Sequence, residues 1–230
     1  MAYILHLETS TKQCSVALSF KGEIIGSKVL LSELFSHNEK LHVFISEVLE
    51  GAKIKSDNLD AIAVSKGPGS FTGLRIGVAA AKGLCFALDL PLIALNSLEI
   101  LVQAANQQDV EFIVPMLDAR RMEVYTAVFD VNKNWIEKTS SLILNQNSFK
   151  ETFNGKKVLV LGDGAKKFQE LNPEINARFT SKVYYPSANY MVKLAWEKYI
   201  SKGFETLAYF EPFYLKDFQT ILPKKQIINH

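Results

Sequence analysis

The chain has 230 residues, 48% of them hydrophobic and 22% charged, with 12 glycines and 7 prolines, a balance that allows a sizeable packed core and excludes long disordered or collagen-like tracts. At roughly 150 residues per domain, this length fits two compact lobes of ~100 residues or one large domain. The 26 basic and 24 acidic residues leave a net charge of +2, which excludes the strong overall field of a stand-alone nucleic-acid binder.

The opening predicts a meander of strands, Tyr3–Leu7, Cys14–Phe20 and Glu23–Leu30, broken by Glu8-Thr9-Ser10-Thr11-Lys12 and Lys21-Gly22. Ser36 and Glu39 form a capping box. Leu41, Phe44, Ile45, Val48 and Leu49 then follow at helical spacing up to Gly51. Asp60–Ser65 reads as a buried strand that delivers the chain into Gly67-Pro68-Gly69, and a helix over Thr72–Leu88 follows directly. A short strand, Leu92–Leu95, leads to Asn96 or Ser97 as cap of a helix over Leu98–Asn106.

The order then begins again. Strands are predicted at Phe112–Asp118, Glu123–Asp130 and Trp135–Leu144, a helical turn at Ser148–Phe153, and a buried strand at Val158–Leu161 running into Gly162-Asp163-Gly164-Ala165. Lys166–Leu171 reads as helix, Val183–Pro186 as a short strand, and Ala188–Gly203 as a last helix capped by Ser187, with Met191, Leu194, Ala195 and Tyr199 on its apolar face. Two successive units of meander, helix, strand and helix make a structural repeat without a sequence repeat. The expected division is a lobe over 1–98, a second over 99–208, and an extended aromatic tail over 209–230 that includes Tyr209-Phe210 and ends near Lys224-Lys225.

Charge is unevenly shared. Residues 1–115 carry 9 basic and 12 acidic groups (−3), residues 116–230 carry 17 and 12 (+5), so any polyanion contact is expected on the second half. Cys14 and Cys85 stand far apart without a CxxC partner and read as buried thiols of a reducing compartment. The first ten residues lack the basic flank of a signal peptide, and the apolar stretch Ile76–Leu88 contains Lys82 and is shorter than the ~20 residues that span a bilayer. A cytoplasmic protein with no membrane partner is expected.

Gly67-Pro68-Gly69-Ser70-Phe71-Thr72-Gly73-Leu74-Arg75-Ile76-Gly77 joins a strand end, a glycine turn and a helix start, a geometry that either holds an anion or simply makes a tight turn. It lacks the Gly-Lys-Ser/Thr of a phosphate-binding loop, and Thr72 breaks the dinucleotide spacing. The helix after it carries only Arg75 and Lys82 as charges, with Gly77, Ala80, Ala81, Gly83 and Ala87 around it, so both faces are apolar or small. Either its own fold buries it on two sides, or one face docks another helix. Thr9, Ser10 and Thr11 offer hydroxyls that grip phosphate or merely shape a turn. Arg120 and Arg121 at a hairpin bend recognise an anion or acidic partner, or form a solvated turn. Gly162-Asp163-Gly164 approaches a nucleotide or packs a helix on a strand. His37 and His42 stand five residues apart, which turns their rings about 140° away from each other on a helix, so zinc is not expected.

Ile4-Leu5-His6-Leu7-Glu8-Thr9-Ser10-Thr11, the Gly67–Gly77 string and Asp118-Ala119-Arg120-Arg121-Met122-Glu123-Val124-Tyr125 together resemble the TsaB (YeaZ) family, bacterial partners in making threonylcarbamoyladenosine in tRNA. The resemblance covers nearly the whole chain. It implies an α/β fold of the actin/sugar-kinase/Hsp70 type, two related lobes each with a mixed five-stranded sheet and flanking helices. It also implies a non-catalytic subunit that pairs with the catalytic TsaD, joined by the small ATPase TsaE. TsaD moves the threonylcarbamoyl group to N6 of adenosine 37, and tRNA meets this chain through the complex.

Where TsaD holds a metal with histidines, the matching stretch Leu92–Asn106 has none, so the resemblance implies no catalytic residue and no metal here, with ATP and metal belonging to the partner complex. The first-strand aspartate of the fold is Glu8, and Ala119-Arg120-Arg121 stands where nucleotide-using relatives have glycine. The family's helix-to-helix contact, which also self-associates when the partner is missing, maps onto Glu39–Val48 and Phe71–Leu84. It assigns Glu39, Leu41, His42, Ile45, Ser70, Phe71, Thr72, Leu74, Arg75, Gly77, Val78 and Ala81 to the partner. Thr9, Ser10, Thr11, Gly67, Gly69, Arg120 and Arg121 are candidate anion or nucleotide contacts. The competing readings are an ATP-binding small-molecule kinase or ATPase of the same fold, and a metallopeptidase using His37 and His42.

Overall fold

A computed structural model describes residues 1–32, 37–105 and 109–216. The first meander forms β1 (Tyr3–Glu8), β2 (Gln13–Phe20) and β3 (Glu23–Leu31), followed by α1 (His37–Ala52). Ser36, the expected cap of α1, lies outside the described residues. Then come β4 (Ala61–Gly67), α2 (Phe71–Leu88), β5 (Leu92–Asn96) and α3 (Ser97–Val102). The second half gives β6 (Phe112–Asp118), β7 (Glu123–Asp130), β8 (Trp135–Ile143), α4 (Lys150–Phe153), β9 (Val158–Leu161), α5 (Ala165–Leu171), β10 (Arg178–Phe179) and α6 (Ala188–Ile200).

Two sheets result, ordered β3-β2-β1-β4-β5 and β8-β7-β6-β9-β10. Each has three antiparallel strands from the meander and two parallel additions, β1 with β4 and β5, β6 with β9 and β10. The repeat therefore holds strand for strand, and it reaches single residues: Gly67 ends β4 at φ +112° and Gly162 follows β9 at φ +108°, a backbone region that only glycine enters without strain. This is the duplicated actin/sugar-kinase/Hsp70-type architecture.

Both faces of the first sheet are covered, which is why its strands read as near-continuous apolar runs. Leu5, Leu7, Val16, Leu18, Ile62 and Val64 pack against Leu41, Ile45 and Val48 of α1 and Val78 and Ala81 of α2. The alternate residues Ile4, Ala17, Ala61 and Ala63 face Ile100 of α3 and Ala188, Met191 and Ala195 of α6. Thus α6, late in the chain, lies on the first sheet. Ser187 stands at its N-terminus but its side chain makes no cap. The Ala188 N–H donates instead to Ser15 Oγ on β2, at 2.9 Å. In the second sheet Leu98, Leu101 and Val102 of α3 cover one face, and Phe153 and Phe168 cover the other. One short helix, α3, is wedged between the two lobes.

Two expectations change. No strand forms over Val183–Pro186, because Arg178–Phe179 already takes the free edge of β9, and Val183 is left 52% exposed. The helix expected to reach Asn106 stops at Val102, where Gln103, Ala104 and Ala105 donate to carbonyls three residues back and tighten the chain.

Met191→Ala should cost about 2–4 kcal/mol, because a fully buried side chain leaves a cavity between α6 and the first sheet. Urea titration followed by tryptophan fluorescence, with Trp196 packed on Gly22 in the first lobe and Trp135 on β8 in the second, checks this. A single shifted transition is expected; an early transition of the second half alone would contradict the packing.

Candidate functional site

The turn after β1 lies against the glycine loop with almost no side chain between them. Ser70 N donates to the Ser10 carbonyl at 2.7 Å, and Thr9 Oγ1 donates to the Gly73 carbonyl at 2.8 Å. A Cβ at Gly69 would overlap the Ser10 carbonyl, one at Gly73 the Thr9 carbonyl, and one at Gly77 Thr9 Oγ1. These glycines exist for close approach. Two N–H groups of the loop are engaged within the chain, Ser70 N by the Ser10 carbonyl and Gly73 N by the Ser70 hydroxyl, which caps α2. The Gly67 side is closed as well, because a Cβ there would stand 2.7 Å from the Phe213 carbonyl.

Glu8 is wholly buried in this contact. Its Oε1 accepts from Ser10 N at 2.6 Å, while among the described residues no hydrogen bond of good geometry joins Oε2 to the hydroxyls of Ser10 and Ser65, which lie close enough to act on the carboxylate. Loss of hydration pushes the Glu8 carboxyl up to about 7, against the smaller opposing effect of the Ser10 hydrogen bonds. Thr9, Ser10 and Thr11 are buried too, and so is His37, whose Nε2 lies 2.7 Å from the Thr11 carbonyl and pins the start of α1 to the turn. His42 is exposed. The two imidazoles do not converge, and no three His, Cys, Asp or Glu side chains gather as a metal site among the described residues. Burial pushes the Cys14 thiol up to about 11 and Cys85 up to about 12, so both are inert core groups.

The contact fixes the rotation of α2. With Gly73 and Gly77 inward, Leu74, Val78 and Ala81 face the sheet, and Leu41 and Ile45 of α1 do the same. Six residues expected at a partner surface, Leu41, Ile45, Leu74, Gly77, Val78 and Ala81, are therefore spent on the chain's own core. Glu39, His42, Thr72 and Arg75 are exposed, and Ser70 and Phe71 half-buried. On the far side of α2 from the glycines, at about 100° per residue, stand Ala79 and Phe86, the last 83% exposed, with exposed Gly83 between that side and the flank. Between α1 and α2 runs a groove of about 510 Å³ lined by Asn38, His42, Ile76, Ala79, Gly83 and Leu84. Sequence reading missed this outward row because small residues sit on both faces of α2, and only the close approach shows which set is inside.

The expected extended tail crosses the same end of α2. Lys82 Nζ donates to the carbonyls of Phe210 at 2.9 Å and Ala208 at 3.4 Å, and Phe213 N donates to the Lys66 carbonyl at 2.6 Å. Tyr214 rests on Phe71, ring centroids 4.8 Å apart, with the Arg75 guanidinium 4.5 Å over the Phe71 ring. The tail then reaches the second lobe, where Lys216 pairs with Glu123.

In that lobe Arg120 and Arg121 form the tip of the β6–β7 hairpin, exposed, at φ +66° and +48°. Among the described residues no hydrogen bond or ion pair joins them to Thr9, Ser10 or Thr11, although Lys12 acts on Asp163, which accepts from Asp118 N at the foot of the hairpin. Gly162 and Gly164 are explained by packing, since a Cβ at either would press on the backbone of Met116 and Leu117.

A family model described as TsaD, tRNA N6-adenosine threonylcarbamoyltransferase, matches residues 35–223. The chain is 32% identical over 226 residues to the tRNA threonylcarbamoyladenosine biosynthesis protein TsaB of Haemophilus influenzae, which covers 93% of each chain. It is 28% identical over 221 residues to the TsaB of Escherichia coli, covering 93% of this chain and 94% of that one. Among solved structures it is similar to YeaZ from Pseudomonas aeruginosa, with a TM-score of 0.77 and 28% identity over 94% of this chain and 100% of the other.

Glu8→Gln should stabilise the protein at neutral pH. Between about pH 4.5 and 7 the unfolded chain releases the Glu8 proton that the folded chain keeps, so wild-type stability falls by up to ~3 kcal/mol across that window and is level above it. Buried His6, held down to about 3, acts the other way, its contribution being lost as pH falls below 6.5. The Glu8 effect is therefore read as the difference between variant and wild type in urea denaturation at pH 4.5 and pH 8. The difference should grow with pH; an equal difference at both values would contradict the burial of Glu8 as a neutral acid.

Proposed function

We propose, for a chain that belongs to the TsaB family of tRNA threonylcarbamoyladenosine biosynthesis proteins, the role of a non-catalytic subunit that docks the TsaD-type transferase through the outer face of α1 and α2. The observation that carries this is the outward row Ala79, Gly83 and Phe86 beside the groove that His42 and Asn38 line. A row of small residues lets a second helix backbone approach closely, and Phe86, almost fully in water, gains about 1.5–3 kcal/mol when covered. The transferase model matches this chain over 35–223, which includes both helices. A TsaD-type partner thus offers a related helix pair, and two such pairs meet face to face as a four-helix contact with approximate two-fold symmetry. The same face then pairs two copies of this chain when the transferase is missing.

The non-catalytic reading is supported by the filled glycine loop. A kinase or ATPase of this fold needs free N–H groups and open space at the loop to hold phosphates; here the Ser10 carbonyl and the Ser70 hydroxyl take the N–H groups of Ser70 and Gly73, and the Thr9–Ser10 backbone lies against Gly69 and Gly73. We assign ATP, metal and the TsaE-type ATPase to the assembled cytoplasmic complex, and no resident cofactor to this chain.

Gly77→Arg cannot test the interface, because it would drive a side chain into Thr9 and unfold α2 from the sheet. Gly83 faces open space, with nothing within 4 Å of a Cβ. Gly83→Arg should leave the circular dichroism and melting temperature of the subunit unchanged and weaken its heterodimer with the transferase by at least tenfold, as read by light scattering of mixed samples. An intact heterodimer would overturn the assignment.

A further inference from the structure

The hairpin tip of the second lobe has a charge surplus that the fold does not use. Asp118 and Glu123 flank it, and each already has a lysine: Lys167 Nζ lies 2.9 Å from Asp118 Oδ1, and Lys216 of the tail pairs with Glu123. Lys167 also donates to the carbonyls of Arg121 and Glu123, both at 2.8 Å, and Arg120 N donates to Asp118 Oδ1 at 2.6 Å. The lysines thus neutralise the acids and brace the hairpin, and they leave Arg120 and Arg121 exposed with no carboxylate in ion-pair contact among the described residues.

The backbone makes the same point. Both arginines occupy the left-handed region, which Gly and Asn enter more readily than arginine, and the turn closes with Glu123 N donating to the Arg120 carbonyl. Such a turn gains nothing structural from arginine.

We propose that the tip formed by Arg120 and Arg121 contacts phosphate groups of the RNA backbone, giving this chain a direct contact with the tRNA that its family modifies. Guanidinium is the side chain best matched to phosphate, offering paired N–H donors in a fixed fork. Two adjacent arginines at a braced tip reach successive phosphates without reading bases, which is the positioning type of contact. The surplus also lies in the half of the chain that carries the +5 balance. The inference rests on the chain working in the tRNA-modifying complex, and its test keeps the two apart.

Arg120→Asn with Arg121→Gly removes both guanidiniums and installs residues that enter the left-handed region readily, so the fold is kept. Binding of fluorescent tRNA is measured by anisotropy, across a salt series, for the full chain alone and for the heterodimer, with heterodimer formation scored separately by light scattering. The variant should bind tRNA about tenfold more weakly near 0.15 M salt in at least one of the two states, with the slope of log K against log salt smaller by about 1.5, while the heterodimer is unchanged. Unchanged affinity and slope in both states would overturn the proposal, whether or not the heterodimer forms. So would a loss seen for ATP or tripolyphosphate but not for tRNA, which would mark a small-anion site.

Discussion

The contact between Thr9–Ser10 and the glycines at 69, 73 and 77 governs most of this molecule. No other residue type allows the β1–β2 turn and α2 to approach so closely, and the approach has three effects at once. It buries Glu8, whose carboxyl is pushed up to about 7, it engages the Ser70 N–H just ahead of α2, and it sets the rotation of α2 about its axis. In a phosphate-binding relative of the same architecture the loop would face a ligand; here it faces the chain's own backbone.

From that rotation the outer surface follows. Once Gly73 and Gly77 point inward, the helical repeat leaves Ala79, Gly83 and Phe86 exposed, and this apolar second face, which sheet packing alone does not require, is the surface we propose for another helix pair. The tail then runs along α2, held by Lys82 on its carbonyls and by Tyr214 tilted against Phe71, and it ties the first lobe to the hairpin of the second through Lys216 and Glu123. The tail thereby links α2 to the β6–β7 hairpin, although they come from different lobes.

Much of the fold was legible in the sequence because it is written in long apolar runs: β6, β7 and β9 lie where alternation and composition put them. What was not legible depends on contacts between distant segments. Arg178–Phe179 carries no strand signal and pairs only because β9 offers an edge, and the N-terminus of α6 is capped by Ser15 from the first lobe rather than by the adjacent Ser187. The same holds at the site. The Gly67–Gly77 string announces close approach, but not whether to a ligand or to the chain itself. Helical periodicity places Leu41, Leu74 and Val78 on a face without saying that this face belongs to the sheet. The left-handed arginines were invisible, since such turns are recognised by Asn and Gly, and neither is present.

The central claim is that the inner face of α2 belongs to the fold and the outer face to a partner. Amide hydrogen exchange of the full chain, alone and mixed with its TsaD-type transferase, tests it most directly. The account predicts slowed exchange confined to His37–Ala52 and Phe71–Leu88, with β8 and α5 unchanged. Protection centred on the second lobe, with no change in α1 and α2, would contradict it.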